Sequence, residues 1–265
     1  MSVVIPITDP QDPRVAPYVQ VRERDLVGRR GEFIAEGEVV LRVLLGGGAR
    51  CRASSLLVAQ NRLSRIEPLA KGLDAPIYVA SQAVMDAVVG FHIHRGLLAH
   101  GVRPADPGAE ALLARLPARA LVVALFGVSN HDNMGGVFRN AAAFGADAVL
   151  LDGACCDPLY RKAIRVSVGA TLKVPFAQLG PDEDGLTLLQ RAGFEALALA
   201  PGAAEPLAAV VRGERVAVLL GAEGPGLPAA MLARARPVGM AMASGWDSLN
   251  VAAASAVVLH HLATS

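Results

Sequence analysis

The chain has 265 residues, 53% of them hydrophobic and only 4% aromatic, so one large or two small domains with cores of Ala, Val and Leu are expected. A net charge of +1 argues against nucleic-acid binding by bulk charge alone. The charge is nevertheless skewed: residues 1–105 carry 13 Lys+Arg against 10 Asp+Glu, and residues 106–265 carry 12 against 14. Any electrostatic grip on a polyanion is therefore expected in the first part. Arg greatly outnumbers Lys, a bias that suits bidentate phosphate contacts and equally follows from a GC-rich genome.

Residues 1–20, rich in Pro and Asp, read as an irregular lead-in. Short strands and helices then alternate. Strands are expected at Glu32–Ala35, Ser54–Ala59 and Ile77–Ala80, and helices at Glu38–Leu45, Asn61–Leu69 and Ser81–Val89. This alternation describes a small α/β unit over residues 1–105. Gly101 to Gly108, with Pro104, Asp106 and Pro107, opens a linker read as residues 106–119. A second α/β unit, 120–265, begins with a continuous apolar strand, Leu121–Gly127. Asn133 is read as the N-cap of a helix ending at Gly145. Strands follow at Ala148–Leu151, Lys173–Phe176, Glu195–Ala200, Arg215–Leu220 and Pro237–Met242. Helices are expected at Leu159–Val166, Asp184–Ala192, Pro228–Arg234 and Ser248–Leu262.

Several function classes drop out. Cys51, Cys155 and Cys156 form no C-x-x-C pair, and the start of the chain lacks the pattern of a signal peptide, so a reduced cytoplasmic protein is expected. No apolar run approaches the roughly 20 residues of a membrane helix, and no membrane association is expected. No phosphate-binding loop of the G-x-x-x-x-G-K-S/T type and no hydrolase elbow occurs. His92-x-His94, placed on a strand, has metal-like spacing without a third ligand, and no metal is expected. Arg22, Arg24, Arg29 and Arg30 form a basic stretch that suits either a solvated helix face or phosphate contacts.

Three blocks carry the chemistry. The first is N-x-x-N-x-G-x-x-x-R-x-A-x-x-F-G, with Asn130, Asn133, Gly135, Arg139, Ala141, Phe144 and Gly145. The second is G-A-E-G-x-G-L, with Leu220 before it and Gly221, Glu223, Gly226 and Leu227 within it. The third is S-L-N-V at Ser248, Leu249, Asn250 and Val251. Each falls where an apolar strand gives way to a loop or a helix, the ligand-binding end of an open α/β sheet. Each also has a purely structural reading. The asparagines and Ser248 suit caps and turns. The glycines suit a tight turn. Arg139, on a helix of apolar neighbours, needs a partner, and Asp132 or Asp147 would serve. Glu223 is the residue that packing explains least.

Taken together and in this order, the blocks resemble the SpoU/TrmH family of RNA 2′-O-ribose methyltransferases, within the SPOUT superfamily. The likeness covers roughly residues 120–262, and the stretch from Asp157 through Arg161, Ser167 and Gly169 to Ala170 is similar to the family as well. Arg30 to Glu38, and His94-Arg95-Gly96, are similar to the small RNA-binding domain, akin to ribosomal proteins, that often precedes SpoU catalytic domains. The resemblance implies an α/β catalytic domain with a deep trefoil knot, S-adenosyl-L-methionine as methyl donor, tRNA or rRNA as substrate, and a homodimer whose active sites draw on both subunits. It implies a cofactor pocket lined by Leu220, Gly221, Met240, Leu249 and Asn250. It places Arg139 at the reacting centre, with Asn133, Glu223, Ser248 and Asn250 around it. Two pairs depart from the family's usual residues, His131-Asp132 and Trp246-Asp247; neither is catalytic, and both bear on the RNA pocket. A base N-methyltransferase of the same superfamily and a non-catalytic RNA-binding protein are the competing readings.

Overall fold

A computed structural model of the chain describes residues 3–19, 26, 31–244, 246 and 248–265. Arg22, Arg24, Arg29, Arg30 and Asp247 lie outside the described residues. In chain order the main elements are β1 (Val4–Ile7), β2 (Glu32–Glu36), α1 (Glu38–Leu45), β3 (Arg52–Ala59), β4 (Ile77–Ala80), α2 (Gln82–Val89), β5 (Leu97–Val102), α3 (Ala109–Ala114), β6 (Ala120–Phe126), α4 (His131–Ala143), β7 (Ala148–Leu151), α5 (Arg161–Val166), β8 (Phe176–Gln178), α6 (Gly185–Arg191), β9 (Glu195–Leu199), β10 (Arg215–Gly221), β11 (Arg236–Val238) and α7 (Val251–Thr264). They form two compact units. One comprises Met1–Pro104 with Asp157–Lys173, the other Ala105–Cys156 with Val174–Ser265.

In the first unit the described strands form a sheet of order β1-β4-β3-β5-β2. β1 and β3 run parallel to β4, and β5 runs antiparallel to β2 and β3. Helix α1 buries Val40, Leu41 and Leu44, the i, i+1, i+4 stripe of an amphipathic helix. Two strands lie where the sequence suggested irregular chain. β1 is a four-residue edge strand containing Pro6, too short for periodicity to reveal. β5 contains Gly101, read as the start of a linker. Gly101 stands opposite Phe33, and a Cβ there would meet the Phe33 ring at 2.3 Å, so the glycine makes room for an aromatic ring within the sheet. The expected helix over Asn61–Leu69 is reduced to a 3-10 turn and one α turn, Leu63–Ile66. The segment Asp157–Lys173 is tied to this unit: Arg161 donates to Glu36 Oε2 at 2.7 and 3.0 Å, and the Arg50 N–H to the Leu172 carbonyl at 2.9 Å.

The second unit is a parallel sheet of order β11-β9-β10-β6-β7-β8. β6, buried along its whole length, pairs with β10 from Ala120↔Arg215 to Phe126↔Gly221. From β6 the chain winds outward through β7 to β8; β10, β9 and β11 fill the other side. The winding direction therefore reverses between β6 and β10, and the crevice at their carboxyl ends is the topological switch point where such sheets bind ligands. Of the stretch read as a linker, Ala109–Ala114 is α3, with Ala109, Leu112 and Leu113 in this unit's core. β11 stops at Val238, short of the expected Met242.

Candidate active site at the β6–β10 switch point

The first block forms the loop after β6 and helix α4. The helix is capped by Asn130, three residues before the expected Asn133: Asn130 Oδ1 accepts from the N–H groups of Asp132 (2.8 Å) and Asn133 (3.4 Å). This correction matters for the site. Asn133 sits inside the first turn, 6% exposed, and its amide is released from capping to point elsewhere. It donates through Nδ2 to Glu223 Oε1 at 2.8 Å.

Glu223 lies in the turn that follows β10. The Gly226 N–H bonds back to the Ala222 carbonyl at 3.0 Å, and Gly224 and Gly226 have φ of 86° and 65°, values that favour glycine. A Cβ on Gly221 would lie 2.3 Å from the Gly226 carbonyl carbon, so the strand end and the turn approach more closely than any side chain permits.

The third block reaches the same point. Helix α7 is N-capped by Asn250 rather than opened by Ser248. Asn250 Oδ1 accepts from Ala252 N (3.0 Å) and Ala253 N (3.3 Å). Its Nδ2 donates to Asn133 Oδ1 and to Glu223 Oε1, both at 2.8 Å. One side-chain amide thus caps a helix with its oxygen and ties two other blocks together with its nitrogen. The result is a closed triangle of Asn133, Glu223 and Asn250 in which Glu223 Oε1 receives two N–H donors.

A cavity of about 470 Å³ opens beside this triangle. Leu220, Gly221, Met240, Leu249 and Asn250 all line it, as do Glu223 and Ser248. So do Leu199, Val238 and Met242, which sequence reasoning did not single out. Met240 and Met242 reach it because the chain leaves the sheet after Val238. The size and the mixture of apolar walls with a few convergent polar groups fit a small-molecule pocket.

Arg139 stands apart. It is exposed, it does not line the cavity, and no ion pair to Asp132, Asp147 or any other described residue holds it. Helix geometry explains this. Asn133, Gly136 and Asn140 recur at i, i+3 and i+7 and face α7, where Asn140 Nδ2 donates to the Ala252 carbonyl (2.7 Å) and Ser255 Oγ (2.9 Å). Six residues from Asn133, at about 100° each, carry Arg139 roughly 240° round the helix, onto another face. The purely structural alternative for Arg139, an ion pair with Asp132 or Asp147, is therefore not found among the described residues. Asn140 was missed at the sequence level, although its seven-residue spacing from Asn133 signalled the shared face.

His92 and His94 occupy a loop, not a strand. Their rings meet edge to face at 4.5 Å, and His92 Nδ1 lies 2.7 Å from Asp86 Oδ2. Among the described residues there is no group of three or more side chains that could hold a metal ion, and no helix long and apolar enough to cross a membrane.

A doubly wound parallel sheet, with a cavity and a polar cluster at its switch point, is the architecture of a cofactor-binding α/β enzyme. The profile of the SpoU rRNA Methylase family matches residues 120–260, and the chain belongs to that family of RNA methyltransferases. It is 40% identical to an uncharacterised tRNA/rRNA methyltransferase of Mycobacterium tuberculosis, over 96% of this chain and 90% of the relative. An uncharacterised tRNA/rRNA methyltransferase of Synechocystis is 25% identical over 98% of this chain and 93% of its own length. Among solved structures, an RNA 2′-O ribose methyltransferase superposes with a TM-score of 0.78 at 27% identity, covering 97% of both chains. An AdoMet-bound rRNA methyltransferase from Sinorhizobium meliloti shares the fold, with a TM-score of 0.80 at 21% identity and 97% coverage of each chain.

Proposed function

We propose that the protein transfers a methyl group from S-adenosyl-L-methionine to a ribose 2′-hydroxyl of tRNA or rRNA in the cytoplasm, and that it works as a homodimer. The observation that carries this reading is the Asn133–Glu223–Asn250 triangle at the mouth of a cofactor-sized cavity, with Arg139 left exposed on a different face of α4. The crystallised relative described as an RNA 2′-O ribose methyltransferase and the AdoMet-bound one support the choice of acceptor and donor. The deep trefoil knot of the superfamily belongs to the same proposal.

The cavity fits the donor. Leu199, Leu220, Val238, Met240 and Leu249 offer apolar and polarisable walls, Glu223 and Asn250 offer polar anchors, and Gly221 leaves room that any side chain would fill. When bound, S-adenosylmethionine supplies a methyl group already activated on a sulfonium. What remains for the chain is to hold the ribose in line, where positioning supplies much of the rate. Asn133 and Asn250 fix the Glu223 carboxylate, and Ser248 and Asn250 face the ribose. Arg139 offers five N–H donors in a fixed fork and no acceptor. It therefore holds a phosphate and would stabilise the developing alkoxide, the hydroxyl proton passing to solvent water as the methyl group's bond to sulfur breaks. Because Arg139 lies outside the cavity of its own chain, the partner subunit's cavity is its proposed destination.

The test is transfer of labelled methyl from S-adenosylmethionine to RNA from a strain lacking the gene, followed by digestion to nucleosides. A 2′-O-methyl nucleoside is expected. A base-methylated product would transfer the assignment to the base-methylating class, and cofactor binding without any transfer would overturn the enzymatic reading. Mixing inactive Arg139→Ala and Asn250→Ala homodimers under subunit exchange tests the shared site. Activity should recover to at most about a quarter of wild type, since half the dimers are mixed and each holds one intact site of two.

A further inference from the structure

Trp246 is the single tryptophan of the chain and stands 76% exposed. Phe33, Phe126, Phe138 and Phe194 are buried, and among the described phenylalanines only Phe91, at 45%, is likewise exposed. Its place in the chain is more informative still. Met240 and Met242 before it, and Ser248, Leu249 and Asn250 after it, all line the cavity. The Trp246 N–H bonds the Ala243 carbonyl at 3.1 Å, so the residue sits on a turn rather than on an extended tether. Two peptide units span about 7 Å at most, which holds the Trp246 backbone at the cavity mouth beside Ser248. Leu249, itself a cavity residue, is 48% exposed and adds apolar surface to the rim.

We infer that Trp246 is a substrate-positioning residue: its indole stacks on an unpaired nucleobase of the RNA next to the ribose being methylated. The inference rests on the RNA methyl transfer proposed above. Sequence-specific RNA recognition mostly targets loops, bulges and ends, whose unstacked bases are splayed out and stack on aromatic side chains. An exposed aromatic face at the pocket mouth replaces the stacking that the base gives up, and it does so for any base, since each has a π-face. The residues described from Gly239 to Leu249 carry no cation, so the contribution of this rim is stacking rather than phosphate attraction. Trp246 thereby sets the register of the RNA, while the groups of the triangle deal with the ribose.

The chain's single tryptophan makes the test direct. Fluorescence of the full-length protein, excited selectively at the indole and saturated with S-adenosylhomocysteine, is titrated with total tRNA and with rRNA from a strain lacking the gene. Quenching by the methylatable RNA and its protection of the indole from iodide are expected. Unchanged emission while a mobility shift shows the RNA bound would overturn the inference. So would an indole already shielded from iodide before RNA is added, which would place it against protein. In parallel, Trp246→Ala should raise the KM for RNA about 5- to 150-fold, the range of one lost base stack, with the S-adenosylmethionine Kd changed less than about twofold. Trp246→Phe should recover most of the loss. An unchanged KM in Trp246→Ala alongside an active wild type overturns the stacking role alone, whereas a wild type that methylates no RNA overturns the enzymatic reading beneath it.

Discussion

Asn133 Nδ2 and Glu223 Oε1 stand 2.8 Å apart although 90 positions separate the residues in the chain. The contact joins the first turn of α4 to the turn after β10 and closes the crevice between the two half-sheets. Both groups are anchored from a third direction by Asn250, so the site is braced by hydrogen bonds among its own polar members.

Arg139→Ala should abolish methyl transfer while leaving folding and cofactor affinity intact. Arg139 is exposed and has no ion pair to another described residue, and such surface changes shift stability by about 0.5 kcal/mol or less. Thermal unfolding, isothermal titration with S-adenosylmethionine and a methyl-transfer assay together check this. Turnover at the wild-type rate would remove Arg139 from the reacting centre.

Asn250 performs two tasks that substitutions separate. Asn250→Ala removes both the cap of α7 and the bridge to Glu223, and should cost about 1 kcal/mol of stability besides activity. Asn250→Ser keeps an oxygen that can cap the helix but has no N–H₂ for the bridge. It should melt close to wild type and be as inactive as the alanine variant. Equal stability losses in the two would refute the division of labour.

At Gly136 a Cβ would come within 2.6 Å of the Ala252 methyl, forcing α4 and α7 apart. The better helix propensity of alanine offsets the overpacking only in part, so Gly136→Ala should destabilise by about 1–2 kcal/mol. The same displacement lengthens the Asn133–Asn250 contact. A stabilised variant in thermal melts would show that the helices can yield.

Acid should loosen the second unit at Asp184. Hydrogen bonds and ion pairing with Arg234 (2.6 Å), then its bond from the Thr187 hydroxyl (2.8 Å), hold this carboxyl at about 2. A folded pKa below the unfolded value stabilises fully above about pH 4, and the contribution fades as pH falls through about 2. Asp184→Asn should therefore lower stability modestly above about pH 4, flatten the acid limb, and converge on the wild type as pH falls toward about 2. An unaltered acid limb would show that Asp184 is not among the groups that set it.

Two thiols should be sluggish in the native protein. Burial pushes Cys51 up to about 11, and burial with the neighbouring Asp152 carboxylate raises Cys155 further. Little thiolate is then present at pH 7.5, and a disulfide reagent should modify these two only slowly until the protein is denatured. Rapid native labelling at either position would contradict the burial.

The catalytic half was legible from the sequence because its strands are continuous apolar runs and its polar residues are confined to strand ends. Leu220, Gly221, Met240, Leu249 and Asn250 could be assigned to one pocket through the likeness to the family, and they line one cavity, with Glu223 beside them. What pattern could not supply was which asparagine caps. Asn130 and Asn133 are both good N-caps by propensity, and only the packing of α4 against Glu223 and α7 decides between them. β5 was hidden for a related reason: Gly101 reads locally as a break, and only the Phe33 ring across the sheet explains it. The helix Ala109–Ala114 was obscured by the prolines ahead of it.

Because Asp157–Lys173 belongs to the first unit, that unit is assembled from two stretches of chain separated by α3, β6, α4 and β7. Glu36 is buried to 7% exposure, and its guanidinium partner Arg161 lies 125 residues further on. At ordinary rates of synthesis, about 5–20 residues per second, that carboxylate waits roughly 6–25 s for its counter-charge to leave the ribosome. A buried carboxylate without its partner is costly, so the amino-terminal unit cannot close in its final form on the nascent chain. Its maturation is coupled to translation of the catalytic half, and a ribosome stalled before Arg161 would leave an open, protease-sensitive amino-terminal unit.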